Sequence, residues 1–491
     1  MAFAIIALVY FIPISIAIVE SLFGVALVSH FIKRGLMFSL ALRREAKVSV
    51  HRLFPQCVML FLKSFKPVDS PLSLPLAAFV FSGFLSIFFS HYLVLSLRGF
   101  FFKLLEWVYL YFLFIEAISD RKRMKIVMWV FFVSALLAGV DGLVQHLTGK
   151  EFIFGRADFD GRISASFRHP NDFGAYLVVV SSLAFSFLWL FPGGSRNPWG
   201  SLAMIRKQDA LLVQGLRVFV MGLFLLLYYD LGWTFSRGAW GAFLLAFIYL
   251  GSLRKWRVVI PLLLIVVFMQ FFSPQMEEKR KVSFITDDTG YVPRRLKMLQ
   301  ESSRGENGTS AGGGATADHS DGRNGDYLRA ILEPLEHFSG SGRSAFWEDA
   351  IPIIRHSPIF GNGINTYSQM AKGRSGYPHN CYLQLTAEMG LLGLAIFGWM
   401  LYVLFREARR GLAWVKDSVL AFVLPGAMAG LMGFLVHSFV DTNFYSVQLG
   451  NLMWVTMGMI GACLSIQKRL DGMEGPGRPF RAAISGEDKS G

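Results

Sequence analysis

The residues best able to do chemistry are one histidine and several arginines at the edges of apolar runs. Tyr377–Gly393 reads YPHNCYLQLTAEMGLLG: a polar stretch ends at Pro378, His379 and Asn380 follow, and an apolar run begins with Glu388 inside it. Such a junction puts a titratable imidazole at a membrane surface where a helix starts. The positive end of the helix dipole disfavours the imidazolium and leaves His379 neutral, able to act as a base. Phe167-Arg168-His169-Pro170-Asn171 makes a similar junction, and Asn171 there reads as a helix N-cap. In Thr234-Phe235-Ser236-Arg237-Gly238-Ala239-Trp240, Arg237 stands where the next helix begins. Its guanidinium fork and the open N–H groups of a helix start suit a phosphate. Arg343 opens the amphipathic stretch RSAFWEDAIPII, with Trp347 one turn on. Glu388 is either a functional intramembrane carboxylate or the buried partner of Lys103. His437 and Asp441, spaced i,i+4 at the end of a later run, are placed to support the site.

A histidine with two or more arginines, and no His/Cys or carboxylate cluster typical of a metal site, suits transfer from a lipid diphosphate. Arginines stabilise the charge growing on the leaving diphosphate, and the histidine takes the proton of the attacking hydroxyl. No G-x-x-x-x-G-K-[ST] occurs, so ATP is not the expected driver, and neither a cofactor nor a metal is expected.

The elements that position these residues are apolar. Of 491 residues, 53% are hydrophobic, 47 are Phe and only 17% are charged, against about a quarter charged in soluble domains. Several blocks reach the roughly 20 residues that cross a bilayer. The expectation is an all-α polytopic membrane protein with twelve transmembrane helices. They fall near 2–18, 20–33, 75–91, 93–118, 124–147, 171–192, 211–233, 237–253, 256–273, 380–404, 418–440 and 446–466. Region 1–273 holds helices 1–9 with a cytoplasmic loop at 34–74. Region 274–379 is a large periplasmic loop between helices 9 and 10. Region 380–466 holds helices 10–12, and 467–491 is a cytoplasmic tail. The start of the chain lacks a basic region and a cleavage site, so 2–18 reads as a retained helix.

Charge sets the orientation. With both termini inside, the clusters Lys33–Lys66, Arg121–Lys125, Arg196–Lys207, Arg254–Arg257 and Arg406–Lys416 are cytoplasmic, while the turns at 90–92 and 234–236 carry no base. The net charge of +14 is thereby a topology signal rather than a sign of nucleic-acid binding. The outside segment 148–170 keeps Lys150, Arg156, Arg162 and Arg168, which serve an anionic ligand or pair with Glu151, Asp158 and Asp160. In the long loop, 301–326 is Gly/Ser/Asn-rich and reads as a flexible insertion with an inert His319. After it, Trp347, Ile351 and Ile354 make an apolar stripe on a short surface helix. Cys57, Cys381 and Cys463 lack metal or disulfide spacing.

At these residues the chain resembles the O-antigen ligase family, whose broader group includes O-antigen polymerases and protein O-oligosaccharyltransferases. The matching pieces are SFRHPNDFGAYL (166–177), TFSRGAWGAFL (234–244), GRSAFWEDAIPIIRHSPIFGNGINTY (342–367), HNCYLQLTAEMGLLGL (379–394) and HSFVDTNFY (437–445). The resemblance covers roughly 160–460. It implies an inverting, metal-independent glycosyltransferase of the bacterial inner membrane, active at the periplasmic face. The implied donor is an undecaprenyl-diphosphate-linked glycan, and the acceptor in ligases is a sugar of the lipid A core. Carried over, His379 is the general base, Arg237 and Arg343 hold the donor diphosphate, and Arg168 lies with them. The insertion and the 34–74 loop depart from the family pattern. A polymerase using the same donor twice is the nearest rival. A transporter of lipid-linked sugars would show repeated halves, and none is evident.

Overall fold

The computed structural model describes residues 1–45, 59–61, 64, 68–159, 161–190, 207–253, 343–371 and 376–472. The expected span 256–273, the insertion 301–326 with His319, Cys57, Asp160, the tail beyond 472 and the basic residues of 47–58, 196–206 and 254–257 lie outside the described residues. Among the described residues the regular elements are helices, and the only β pairing is two isolated bridges between Lys150 and Arg162.

In chain order these are α1 (Ala2–Phe11), α2 (Ile16–Glu45), α3 (Ser73–Ile87) and α4 (Leu93–Gly99). α4 continues through a π-helical turn, Phe100–Leu104, into α5 (Leu105–Ala117). Then come α6 (Arg121–Thr148), α7 (Pro170–Leu190), α8 (Lys207–Trp233) and α9 (Arg237–Ser252). The last group is α10 (Arg343–His356), α11 (Tyr367–Met370), α12 (Cys381–Trp414), α13 (Ser418–His437) and α14 (Val447–Leu470). Among the described residues, seven helices are long and apolar enough to cross a membrane: those within α2, α6, α7, α8, α12, α13 and α14.

The first hairpin differs from expectation. α1 ends at Phe11 because Pro13 has no N–H to continue the ladder, and Ile14 N and Ser15 N close a turn on Phe11 O. Its 10 residues rise roughly 15 Å, about half of a bilayer core. α2 instead runs 30 residues, carrying helix into the stretch expected as loop from 34 onward.

α13 and α14 form the buried centre. Gly426 and Gly430 of α13 leave no room for a Cβ against Ser186, Leu183 and Val179 of α7, the small-residue spacing that lets membrane helices approach closely. At one end of the bundle, Glu116 takes Lys33 at 2.6 Å and Arg34 at 2.7 Å, Arg121 pairs with Asp417 at 2.9 Å, and Arg469 reaches Ser119 O at 2.7 Å. The opposite ends of α12 and α13 meet through Cys381 N to Ser438 O at 2.9 Å. His379 therefore lies at the end of the bundle away from these basic residues.

α12 is broken at Gly390, whose φ of +71° and ψ of −179° leave the helix. In a membrane the exposed backbone groups of such a break must be paired inside the protein. The loop after α10 does this. Asn362 N and Gly363 N donate to Ala387 O and Glu388 O, and Leu391 N and Leu392 N donate to Pro358 O and Ile359 O. Asn362 Nδ2 adds bonds to Ile353 O and Ala387 O, both at 2.9 Å. The buried Glu388 side chain takes Asn365 N at 2.8 Å and Tyr367 N at 3.3 Å, and Lys103 Nζ donates to Asn365 Oδ1 at 2.6 Å. Glu388 is thus an anchor for the loop, with Lys103 beside it, and does not sit at His379.

A Cβ on Gly390 would lie 2.0 Å from Ile359 O, whereas one on Gly398 meets nothing within 4 Å. Gly390→Ala should lower the midpoint of thermal unfolding in detergent strongly, through a positive-φ cost of roughly 1–3 kcal/mol plus the clash. Gly398→Ala on the same helix should leave it unchanged.

Candidate active site

His379 owes its position to the start of α12. Asn380 Oδ1 accepts from Tyr382 N at 2.9 Å and Leu383 N at 3.0 Å, so Asn380 is the cap and His379 stands one residue outside it. The His379 backbone has φ of +45°, left-handed in a non-glycine residue, an arrangement that persists only where the surroundings hold it. Its ring lies 5.3 Å from that of Phe346 on α10, and Nδ1 is 3.5 Å from Asp441 Oδ1. Asp441 lies in the turn after α13 and also takes Thr442 N at 2.8 Å. Burial works to raise the Asp441 carboxyl, but the neighbouring His379 and His437 imidazoles outweigh it, and Asp441 is held well below the usual carboxylate range. His379 therefore has Asp441 as a carboxylate neighbour.

The same turn meets the start of α9. Ser236 caps α9 by accepting from Ala239 N at 3.3 Å, and Phe235 before it has φ of +48°. Ser236 Oγ also lies 3.5 Å from His437 Nε2, and His437 Nδ1 is held by Asn443 Nδ2 at 2.8 Å. Gly238 is pressed so close that a Cβ would sit 2.7 Å from Val440 Cγ2 and 3.1 Å from His437 Cδ2. Arg237, the first residue of α9, is exposed beside this contact. Residues 437–441 thus touch His379 on one side and the Arg237 turn on the other.

The Arg168–Asn171 junction differs from expectation. His169 Nδ1, rather than Asn171, accepts from the first turn of α7, bonding Asn171 N at 3.2 Å. Pro170 begins the helix, where its missing N–H costs nothing. The Asn171 side chain instead accepts from Arg162 Nη2 at 2.9 Å, while Arg162 Nε donates to Thr234 O at 2.9 Å. Buried Arg162 therefore fastens the 149–169 segment, α7 and the turn before Arg237 together. Arg156 pairs with Glu151 at 2.7 Å, and Arg168 is exposed. Internal contacts thus account for Arg156 and Arg162.

Arg343 is the first residue of α10; its side chain lies outside the described residues. Phe346, three residues on, touches His379, so the first turn of α10 is at the site. The packed face of α10 is Phe346, Ala350 and Ile353 at 5%, 0% and 7% exposure, whereas Trp347 and Ile351 are 37% and 42% exposed. Of the expected stripe, Trp347 and Ile351 face away from the bundle, and Phe346 does the packing there. Phe346 and Arg162 were missed by sequence reasoning. The first lies off the stripe that the sequence singles out. The second was one of four bases in a segment whose partners no spacing reveals.

Among the described residues, no group of three or more His, Cys, Asp or Glu is arranged to hold a metal. What the site brings together is an imidazole with a carboxylate neighbour, the start of α9 with Arg237 around the same turn, and Phe346 of α10 against the imidazole. Residues 221–398 match the family model described as O-antigen ligase. No curated protein matches the chain. The matched stretch runs from α8 into α12 and contains Arg237, Arg343 and His379, so this part of the chain is similar to the O-antigen ligase domain.

Proposed function

We propose that the protein moves glycan from an undecaprenyl-diphosphate carrier to an acceptor hydroxyl, with a lipid A-core sugar as acceptor. The reaction takes place at the periplasmic face of a bacterial inner membrane. The observation that carries this reading is the His379–Asp441 contact on the turn that also packs against the Arg237 helix start. His379 accepts the proton of the acceptor hydroxyl at Nε2, the ring nitrogen away from Asp441. The acceptor oxygen bonds to the anomeric carbon as the carbon–oxygen bond to the diphosphate breaks, with inversion. The undecaprenyl diphosphate leaves with the bonding pair, its charge held by Arg237, Arg343 and Arg168 rather than by a metal. Asp441 keeps the imidazole oriented and stabilises the imidazolium that forms, as an orienting carboxylate does in hydrolase triads. Twelve crossings with both termini cytoplasmic put the basic end of the bundle inside and His379 outside, which accords with the positive-inside rule.

Purified protein supplied with undecaprenyl-diphosphate-linked glycan should form product only when lipid A-core is added. Chain growth without the core would mark a polymerase, and an unchanged mixture under both conditions would overturn the transfer reading. Asp441→Asn should slow transfer within the roughly 10²–10⁴-fold range of general-base catalysis while leaving donor binding intact. Because the Asp441 carboxyl is held low, its contribution is fully present from neutral pH downward through the usual carboxylate range. It disappears only as the pH falls through that lowered value, so wild-type activity should show no loss near pH 4–5 traceable to Asp441. Arg237→Ala should weaken donor use, and Arg237→Lys should restore it only in part, since the bidentate fork is lost. Equal activity of Arg237→Ala and wild type at limiting donor would remove Arg237 from the diphosphate site.

A further inference from the structure

A second pair of imidazoles lies on the outer face, apart from the transfer chemistry. His91 is in the turn between α3 and α4, and His356 is the last residue of α10; both are exposed. Their Nε2 atoms are 3.4 Å apart. The hydrogen positions follow from Asn362. Its Nδ2 donates to Ile353 O and Ala387 O, so Oδ1 is the atom facing His356 Nδ1 at 2.8 Å. A carbonyl oxygen only accepts, so His356 Nδ1 carries hydrogen and the neutral ring has its lone pair on Nε2. That nitrogen is the one that meets His91.

A spacing of 3.4 Å is long for a nitrogen hydrogen bond. It matches the separation of two imidazole nitrogens on one tetrahedral ion: bonds of roughly 2.0–2.1 Å put them roughly 3.3–3.4 Å apart. Asn362 supplies the outer hydrogen bond that a metal-bound histidine almost always makes. The frame around the pair is fixed in advance. Phe89 stacks on Phe360 at 4.7 Å and 10°, which docks the His91 turn on the loop after α10, and Ser96 Oγ donates to Ser90 Oγ at 2.6 Å, which ties that turn to α4.

We propose that His91 and His356 form a binding site for a borderline divalent transition metal of the zinc type. Imidazole suits such ions. No third His, Cys, Asp or Glu completes the set among the described residues, so water fills the remaining positions. The ion would tie the α3–α4 turn to the end of α10, the helix whose Phe346 rests on His379. Its effect is to hold α10 in place, with no part in the transfer step, so the site stands whether or not the transfer reading does.

The test is a calorimetric titration of Zn²⁺ into the full-length protein, free of any polyhistidine tag, in chelator-treated buffer. One ion per chain is expected. His91→Ala and His356→Ala should each weaken it by more than roughly tenfold, since loss of an outer partner alone is worth roughly 10–100-fold. Zn²⁺ should also raise the thermal midpoint of the wild type and of neither variant. His91→Ala alters only an exposed turn, so it carries the test alone should His356→Ala fail to fold. Absence of zinc binding by the wild type, or unchanged affinity in a folded variant, would overturn the proposal.

Discussion

A break in a membrane helix leaves backbone groups that lipid cannot satisfy, and the His379 end of this protein is organised around the answer to that problem. α12 opens at Gly390, and residues 358–363 thread into the gap, exchanging backbone hydrogen bonds with both sides of it. Buried Glu388 then gathers the N–H groups of Asn365 and Tyr367 that follow. Unpaired, each of these groups would cost several kcal/mol in a hydrocarbon setting, so loop and helix form as one unit. The consequence reaches about three turns up α12, where the helix start, its Asn380 cap and the strained His379 are set by where the break is plugged. It reaches α10 as well, because Asn362 bonds both the end of α10 and the broken helix.

The turn 437–445 is the second fixed point. It joins α13 to α14, the most buried pair of helices, and presents Asp441 to His379 and His437 to the α9 start. Electrostatics and packing agree there. A carboxylate that would resist ionisation when buried stays charged because two imidazoles attend it. Gly238 lets the backbone of α9 close on the same turn. An imidazole with a carboxylate neighbour, near helix starts that favour anions, suits the proposed removal of a proton while negative charge leaves. The family match over 221–398 spans the helices that carry the histidine and both helix-start arginines.

Most helix positions were legible in the sequence because apolar length is a strong signal: α6, α7, α13 and α14 fall within a few residues of expectation. α1 was harder, since Pro13 divides one apolar run into two helices and length alone does not show where. His379, Arg237 and Asp441 were legible as polar residues at apolar edges. Their convergence was not, because it depends on contacts between segments about 60 and 200 residues apart, such as Cys381 to Ser438 and Ser236 to His437. Asn171 was read as a cap and is instead held by Arg162, while Glu388 has the Lys103 neighbour it was read with and also holds the 365–367 backbone, which no spacing in the sequence shows. The stripe of α10 was legible, but which apolar residue packs on the bundle was not, because Phe346 and Trp347 are both large aromatics and periodicity does not choose between them.

The central claim is that His379 removes the proton from the acceptor hydroxyl. It is tested most directly by single-turnover glycan transfer with purified His379→Ala, alongside donor-binding measurements on the same preparation. The account predicts that donor binding persists while transfer falls by roughly 10²–10⁴-fold. Transfer at the wild-type rate by a folded, donor-binding His379→Ala protein would contradict it.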